Sequence, residues 1–307
     1  MEKAKLGITR FFTGYFKYFP KLLLANLLFA VPLVGFIALF YFINTATGLN
    51  NIFITLLPVI FVFPFFAGIT VITRNIVRED ESVPAVSLFF KGLKDNLKYF
   101  IVHGIVLYLA IFFCYSSITL YWRLSEQNGV FYVAFAVVVV IAVLMLFIFY
   151  NLPAMTVTFE LSLKDIYRNS ALMSFGELKN NFFATLGLFL LFIFCATVFL
   201  AAPNATVLVW IMLIVSVLIV PSTASYIMNF YVYKDMESVI SNGQARNDEI
   251  QQKIKAQQNK RDGIEEKEQL DFSGLDLDET KDLDEYLYFN GKMIKRGVLI
   301  KMRDEQE

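Results

Sequence analysis

One histidine and two cysteines in 307 residues leave little for chemistry to use. With His103 alone, one chain cannot assemble an HExxH zinc site, a histidine-based triad or a pair of haem ligands. Cys114 and Cys195 both lie in apolar runs without CxxC spacing, so they read as small buried hydrophobes, not as a disulfide or thiolate metal site. The sequence has no GxxxxGK[ST] phosphate loop and no GxSxG elbow. Asp and Glu are nearly missing from the hydrophobic runs, which argues against intramembrane carboxylate proteases and most carboxylate proton relays. The expectation is a chain that is not an enzyme and has no cofactor, no metal and no nucleic-acid partner.

What is abundant sets the class. The chain is 57% hydrophobic, has 33 Phe and only 18% charged residues, and its mean hydropathy of +0.58 is too high for a soluble domain. Its first partner is therefore the lipid bilayer. A helix needs ~20 apolar residues to cross the hydrocarbon core, and six segments reach that length: 20–43, 52–73, 99–121, 130–151, 182–202 and 206–233. The first is too long for a cleavable signal and no small-x-small site follows it.

Charge gives the orientation. Lys3, Lys5, Arg10, Lys17 and Lys21 precede the first segment; Arg74, Arg78, Lys91, Lys94 and Lys98 follow the second; Lys164, Arg168 and Lys179 follow the fourth. The other three loops hold only Arg123, and an asymmetry of thirteen to one predicts that both termini are cytoplasmic. The net charge of zero hides a partition: residues 1–233 carry 14 basic and 9 acidic side chains, and residues 234–307 carry 13 and 18.

The stretch 64–96 supplies a repeating unit. A shift of 78 positions lays Ile8, Phe11, Phe12, Tyr15 and Phe19 on Val86, Phe89, Phe90, Leu93 and Leu97, and Gly14 on Gly92. The spacing is one helix face, with Arg10, Lys17, Lys91 and Lys94 on other faces, as an interfacial helix on an anionic leaflet requires. In a weaker third copy Gly176 and Asn180 match Gly92 and Asn96. The even segments carry Pro64, Pro153 and Pro221, each expected to kink its helix and free a carbonyl. Pointing the kinks inward would offer those carbonyls hydroxyls from Thr70, Thr73, Thr156, Thr158, Ser222 and Ser225. Residues 86–97 are then expected to lie flat and to bend before the third span.

The run from Pro64 through Thr73-Arg74, Phe89-Phe90-Lys91-Gly92-Leu93-Lys94-Asp95-Asn96, and the later 161–166 with Asn169-Ser170-Ala171-Leu172 resemble the YesL-like bacterial integral membrane proteins, a domain of unknown function (624). The resemblance covers about residues 6–235. It implies a protein of the Gram-positive plasma membrane, in a family some of whose members accompany carbohydrate-uptake systems. It brings no catalytic or binding residues with it.

Five polar residues at membrane depth remain: Asn26, His103, Asn151, Glu160 and Asn229. Each is read either as an interhelical hydrogen bond worth ~1 kcal/mol, or as the lining of a cavity between the three units; for Asn151 and Glu160 the headgroup boundary is a further reading. Beyond them the tail divides into a charged cytoplasmic tether over 238–285 and a hairpin-like segment over 286–307, with strands at 286–289 and 292–302 about Asn290-Gly291. An isolated hairpin is marginal in water, so it is expected to dock on the membrane domain (1–237) or on a soluble cytoplasmic partner.

The sequence thus reads as an all-α integral membrane protein: six transmembrane helices as three repeated two-span units with cytoplasmic interfacial amphipathic helices. Its expected role is that of an accessory or regulatory component of a bacterial uptake system, partnered by a membrane protein of that system. A secondary transporter is the alternative, because repeats with kinked helices build transporters. The segments after Pro64, Pro153 and Pro221 nonetheless lack the charged Px[DE]xx[KR] signature of mitochondrial carriers.

Overall fold

The computed structural model describes residues 2–48, 51–79, 84–233, 235–239, 275–278, 280–289 and 292–304. The chain forms two compact units, Met1–Ser241 and Asn242–Glu307. The first is all helix: α1 (Glu2–Lys17), α2 (Phe19–Thr47), α3 (Ile52–Leu56), α4 (Pro58–Val77), α5 (Ala85–Gln127), α6 (Phe131–Thr158), α7 (Leu163–Gly176), α8 (Leu178–Leu200), α9 (Ala205–Leu218) and α10 (220–233). Helix ends follow local chemistry. Asn51, Ser162 and Asn204 cap α3, α7 and α9 by accepting from the backbone N–H of Phe53, Asp165 and Val207, and α2 stops at Gly48 in the left-handed region, φ 67°.

Among the described residues, five helices are long and apolar enough to cross a membrane: α2, α3 with α4, α5, α6 and α8. The sixth expected segment is laid down in two pieces. α9 ends at Ile219, where φ −120° and ψ −51° leave the helical region, and α10 resumes just ahead of Pro221. Proline has no N–H to give to Val217 O, so the ladder is weakest at this point.

α5 departs from the expected repeat. It is one 43-residue helix, with no turn between the amphipathic stretch and the third span. Residues 86–97 do not leave the bundle to lie flat, because α5 follows α4 in one antiparallel register. Phe89 covers Gly68, Gly92 sits on Val71 and Ala67, and Gly104 sits on Ile60 and Phe63. Phe100 packs on Phe63 and Phe112 on Phe53 at ring separations of 5.6 and 4.2 Å. At all three glycines a Cβ would meet a neighbour within 3.1 Å, so small residues let two backbones close along the whole hairpin. The other two copies do break, at Tyr18 between α1 and α2 and at Glu177 between α7 and α8.

The core has two clusters that share α10. Tyr226 joins Leu22, Ala25, Phe29, Ile69, Ile72 and Phe89. Val232, Tyr233 and Met236 join Tyr150, Met155, Met173 and Ala184.

The described part of the second unit is a strand pair, β1 (Tyr286–Phe289) and β2 (Lys292–Lys295), followed by α11 (Arg296–Asp304). The strands are antiparallel, Phe289 opposite Lys292. The expected second strand ends at Lys295, not Met302, because residues 296–304 turn helical around a buried guanidinium. Arg296 donates to Asp276 O at 3.1 Å and Asp282 O at 2.9 Å and pairs with Glu285 at 2.6 Å. Those contacts also correct the tether: of the residues expected to be loose, 275–278 and 280–285 are part of this fold. Lys281 and Lys295 hold the exposed carboxyls of Asp276 and Asp284 below the usual range by hydrogen bonding. Residues 240–274, where the rest of the tether was placed, and Asn290-Gly291 lie outside the described residues.

Candidate functional site

Most of the buried polar residues of the helical unit gather at the end of the bundle that carries α1, the α4–α5 link and α7. Four of the interhelical couplings there are built on asparagine or histidine.

The first sits at the α9–α10 break. Asn26 of α2 donates through Nδ2 to Leu218 O at 2.7 Å and Ser222 Oγ at 2.7 Å, and its Oδ1 accepts the Ser222 N–H at 2.8 Å. In an unbroken helix Ser222 N–H would bond Leu218 O. The amide of Asn26 replaces that bond with two of its own, so a side chain from another helix splints the gap.

The second joins α4 to α10. Thr73 Oγ1 and Ser225 Oγ share a hydrogen bond of 2.8 Å, and Asn229 Nδ2 donates to Thr73 Oγ1 at 2.9 Å and Ser225 O at 3.1 Å. The third joins α5, α6 and α7. His103 Nε2 lies 3.0 Å from Thr156 Oγ1, and Nδ1 lies 3.0 Å from Tyr167 Oη. Thr156 already gives its proton to Leu152 O at 2.8 Å, so Nε2 carries the hydrogen and Tyr167 donates to Nδ1, which is the neutral tautomer. The fourth joins α6 and α8: Asn151 Nδ2 donates to Asn181 Oδ1 at 3.1 Å, and Asn181 Nδ2 to Met173 O at 3.1 Å.

Four of the five expected polar residues, Asn26, His103, Asn151 and Asn229, are therefore buried and bonded to another helix. Glu160 is not among them; it is exposed in the link after α6. Among the prolines, Pro64 and Pro153 are buried and Pro221 half-buried. The hydroxyls do not serve the carbonyls that proline frees. Thr70, Thr73, Thr156 and Thr158 donate to Phe66, Ile69, Leu152 and Ala154, since a threonine reaches only the carbonyl three or four residues before it. The carbonyl freed by Pro64, Ile60 O, packs on Gly104.

Of the residues assigned to interfacial helices, Gly14 packs on Tyr226. Phe89 is buried while Phe90 is exposed. Gly92 is buried against α4, and Asn96 turns its Nδ2 back to Gly92 O at 2.9 Å. Gly176 ends α7 in the open. Asn180 donates to Glu177 at 3.1 Å and to Asp235. The sequence reading missed Asn181, Tyr167 and Arg74, whose guanidinium donates to Val157 O and to Asn75 Oδ1. Asn181 could have been found, for it directly precedes the apolar run that opens at Phe182.

The arrangement holds helices together. Among the described residues no three His, Cys, Asp or Glu side chains could share a metal ion. A cavity of about 300 Å³ between α2, α3 and α4 is lined mainly by apolar side chains, among them Phe29, Leu33, Val62, Phe63 and Phe66, with Thr55 as the polar one.

No curated protein and no solved structure matches the chain. A family model does match, over residues 46–118, a stretch that holds α3, α4 and most of α5. That family is described as a protein of unknown function, DUF624; over these residues the chain is similar to it, in line with the YesL-like resemblance carried by the residues of the α4–α5 hairpin.

Proposed function

We propose that this is a non-enzymatic protein of the bacterial plasma membrane that crosses it six times, α9 and α10 together making the sixth crossing, with both termini in the cytoplasm. Its role is that of an accessory or regulatory component of a carbohydrate-uptake system, a scaffold that acts through contact with a membrane or cytoplasmic partner. One observation carries this choice. The side-chain nitrogens that a permeation path would have to present to solute are engaged inside the bundle: Asn26 Nδ2 on the α9–α10 break, His103 on Thr156 and Tyr167, Asn151 Nδ2 on Asn181, Asn229 Nδ2 on Thr73. None of the four lines the cavity between α2, α3 and α4.

A secondary transporter is the weaker reading. Its premise was three equivalent units with bends between interfacial helix and span, and the unbroken α5 speaks against that equivalence. The discontinuous α9–α10 segment is the feature that would favour it, but Asn26 fills the gap that a substrate would need.

Purified protein in proteoliposomes should move no sugar by itself, while deletion of its gene should lower uptake by a system with which the intact protein co-purifies. Sugar counterflow by the isolated protein would overturn the accessory role. The topology has its own test. Cysteines placed at Asn50, Gln127 and Asn204 should react with an impermeant thiol reagent on whole cells and those at Ser82, Leu163 and Ser241 should not; labelling at Ser82 in intact cells would reverse the orientation.

A further inference from the structure

α1 has two apolar faces and only one of them is used inside the fold. On the inner face, Phe11, Gly14 and Tyr15 meet α10. Tyr226 O–H donates to Phe11 O at 3.0 Å, Tyr15 and Thr223 share a hydrogen bond of 2.9 Å, and the Phe11 ring lies 5.1 Å from those of Tyr226 and Phe230. A Cβ on Gly14 would stand 2.7 Å from Tyr226 Oη, so glycine is what lets the two helices close. Arg10 ties α1 to the end of α4, at 3.0 Å from Glu79 and 3.2 Å from Val77 O.

The second face is a stripe at helical spacing, Ile8, Phe12 and Phe16, which are 64, 53 and 68% exposed. It continues into the exposed Phe19 at the start of α2. Five basic residues and one acidic residue lie in the first 21 positions. An exposed apolar stripe on a segment of net positive charge is what seats a helix at the boundary between headgroups and acyl chains. The continuity with α2, a candidate membrane span, puts that stripe at a membrane surface and not in free solvent.

We propose that α1 is a lipid-seated latch: its Ile8–Phe12–Phe16 stripe binds the surface of an anionic leaflet while its inner face clamps α10 one turn after the break at Ile219. The seating of α1 then bears directly on the most weakly bonded point of the sixth apolar segment. The clamp residues Thr223 and Tyr226 are one and four positions beyond Ser222, which the Asn26 splint holds. The inference rests on the membrane reading and is independent of the uptake-system role.

The test uses the full chain in nanodiscs whose lipids are brominated near the top of the acyl chains, with and without phosphatidylglycerol. Phe12→Trp is made in a background with Trp122→Phe and Trp210→Phe, and Thr13→Trp in the same background is the control. Burial of ~5–10 Å below the headgroups should quench Trp at position 12 at least about two-fold more than at 13, and more strongly when phosphatidylglycerol is present. Equal quenching at both positions, no response to the anionic lipid, or shielding that appears only with two copies per disc would overturn lipid as the occupant. If that background fails to fold, amide exchange over residues 7–17 of the unaltered chain decides, being slower in anionic than in neutral discs if the inference holds and equal if it fails. For the clamp, Gly14→Leu should speed exchange at residues 222–226 at least about tenfold, about 1.4 kcal/mol of lost protection; unchanged exchange there would overturn the latch.

Discussion

The two ends of the helical unit are made from the same apolar segments and pack differently. At the end carrying α1, the α4–α5 link and α7, each segment contributes buried polar or small residues: Asn26 in α2, Gly68 and Thr73 in α4, Gly92 and His103 in α5, Asn151 and Thr156 in α6, Asn181 in α8 and Ser225 and Asn229 in α10. Toward the loops at 48–51, 127–131 and 201–204 the same helices bury far fewer residues. α6 has no buried residue between Phe131 and Phe149, and Val31, Val34, Ile37, Leu39 and Phe42 of α2 are exposed. The contrast reflects the solvent. Lipid tails are as apolar as leucine, so burying one more leucine gains little, and helix association depends on close approach and interhelical hydrogen bonds. An apolar run gives a span its length. Its asparagines, threonines and glycines choose its neighbours.

That contrast breaks first at Asn26. Asn26→Leu would leave Leu218 O and Ser222 N–H without partners where no water reaches, at ~1–3 kcal/mol each. The expected loss is about 3 kcal/mol, read as the shift of the unfolding midpoint in a detergent titration. A loss under about 0.5 kcal/mol would mean that α10 rebuilds its own first turn and that the splint is dispensable.

Gly68→Ala comes next. Its Cβ would lie 2.6 Å from Phe89 Cδ2 and 2.7 Å from Phe89 O. The carbonyl belongs to the α5 backbone and cannot rotate away, so the helices must separate at a cost of ~1–3 kcal/mol. A variant as stable as the parent would show that the α4–α5 hairpin is loosely held and that its common register has little weight in the fold.

Tyr167→Phe removes one hydroxyl from the His103 coupling and leaves Nδ1 unpaired. In a cycle with His103→Leu the coupling energy should fall near ~0.6–1.7 kcal/mol, the range for hydrogen bonds between membrane helices. Zero coupling would move α7 to the surface as a helix held by its apolar face alone.

How much of this was legible in the sequence depended on range. Segment length and polarity are local properties, so five of the six expected segments, each in a helix long and apolar enough to cross a membrane, and the burial of Asn26, His103, Asn151 and Asn229 could be read from composition along the chain. Partners are not local. Nothing around His103 says that Tyr167 will donate to it from 64 residues away. The similarity of residues 8–19 to 86–97 is real as a pattern, but one copy docks on α10 and the other on α4, so equal patterns took unequal partners. Glu160, exposed in the link after α6, does not line a cavity among the described residues, and of its readings the headgroup boundary is the one its exposure fits. The break at Ile219 was hidden because Pro221 marks a weakened ladder without saying that an amide from α2 will fill it.

The smallest expected effect lies at the bare end, at Gly35 of α2. A Cβ there would meet nothing within 4 Å, and the residue is exposed. Gly35→Ala removes a flexible residue from a helix interior, which is worth up to ~1 kcal/mol in water and less where lipid already enforces the helix. The outcome should be neutral to slightly stabilising, opposite in sign to Gly68→Ala although the two substitutions are chemically identical. Gly35→Leu sharpens the point. If only lipid covers this face, the larger side chain exchanges one apolar neighbour for another and the unfolding midpoint stays where it was. If the midpoint holds but uptake or co-purification of a partner is lost, the bare end is a docking face, and its exposure in the isolated chain is the unfilled half of an interface. A destabilised Gly35→Leu in detergent-purified monomer would contradict both, because it would require a helix of this same chain to be packed on α2 at Gly35, where none of the described residues lies within 4 Å of the added Cβ.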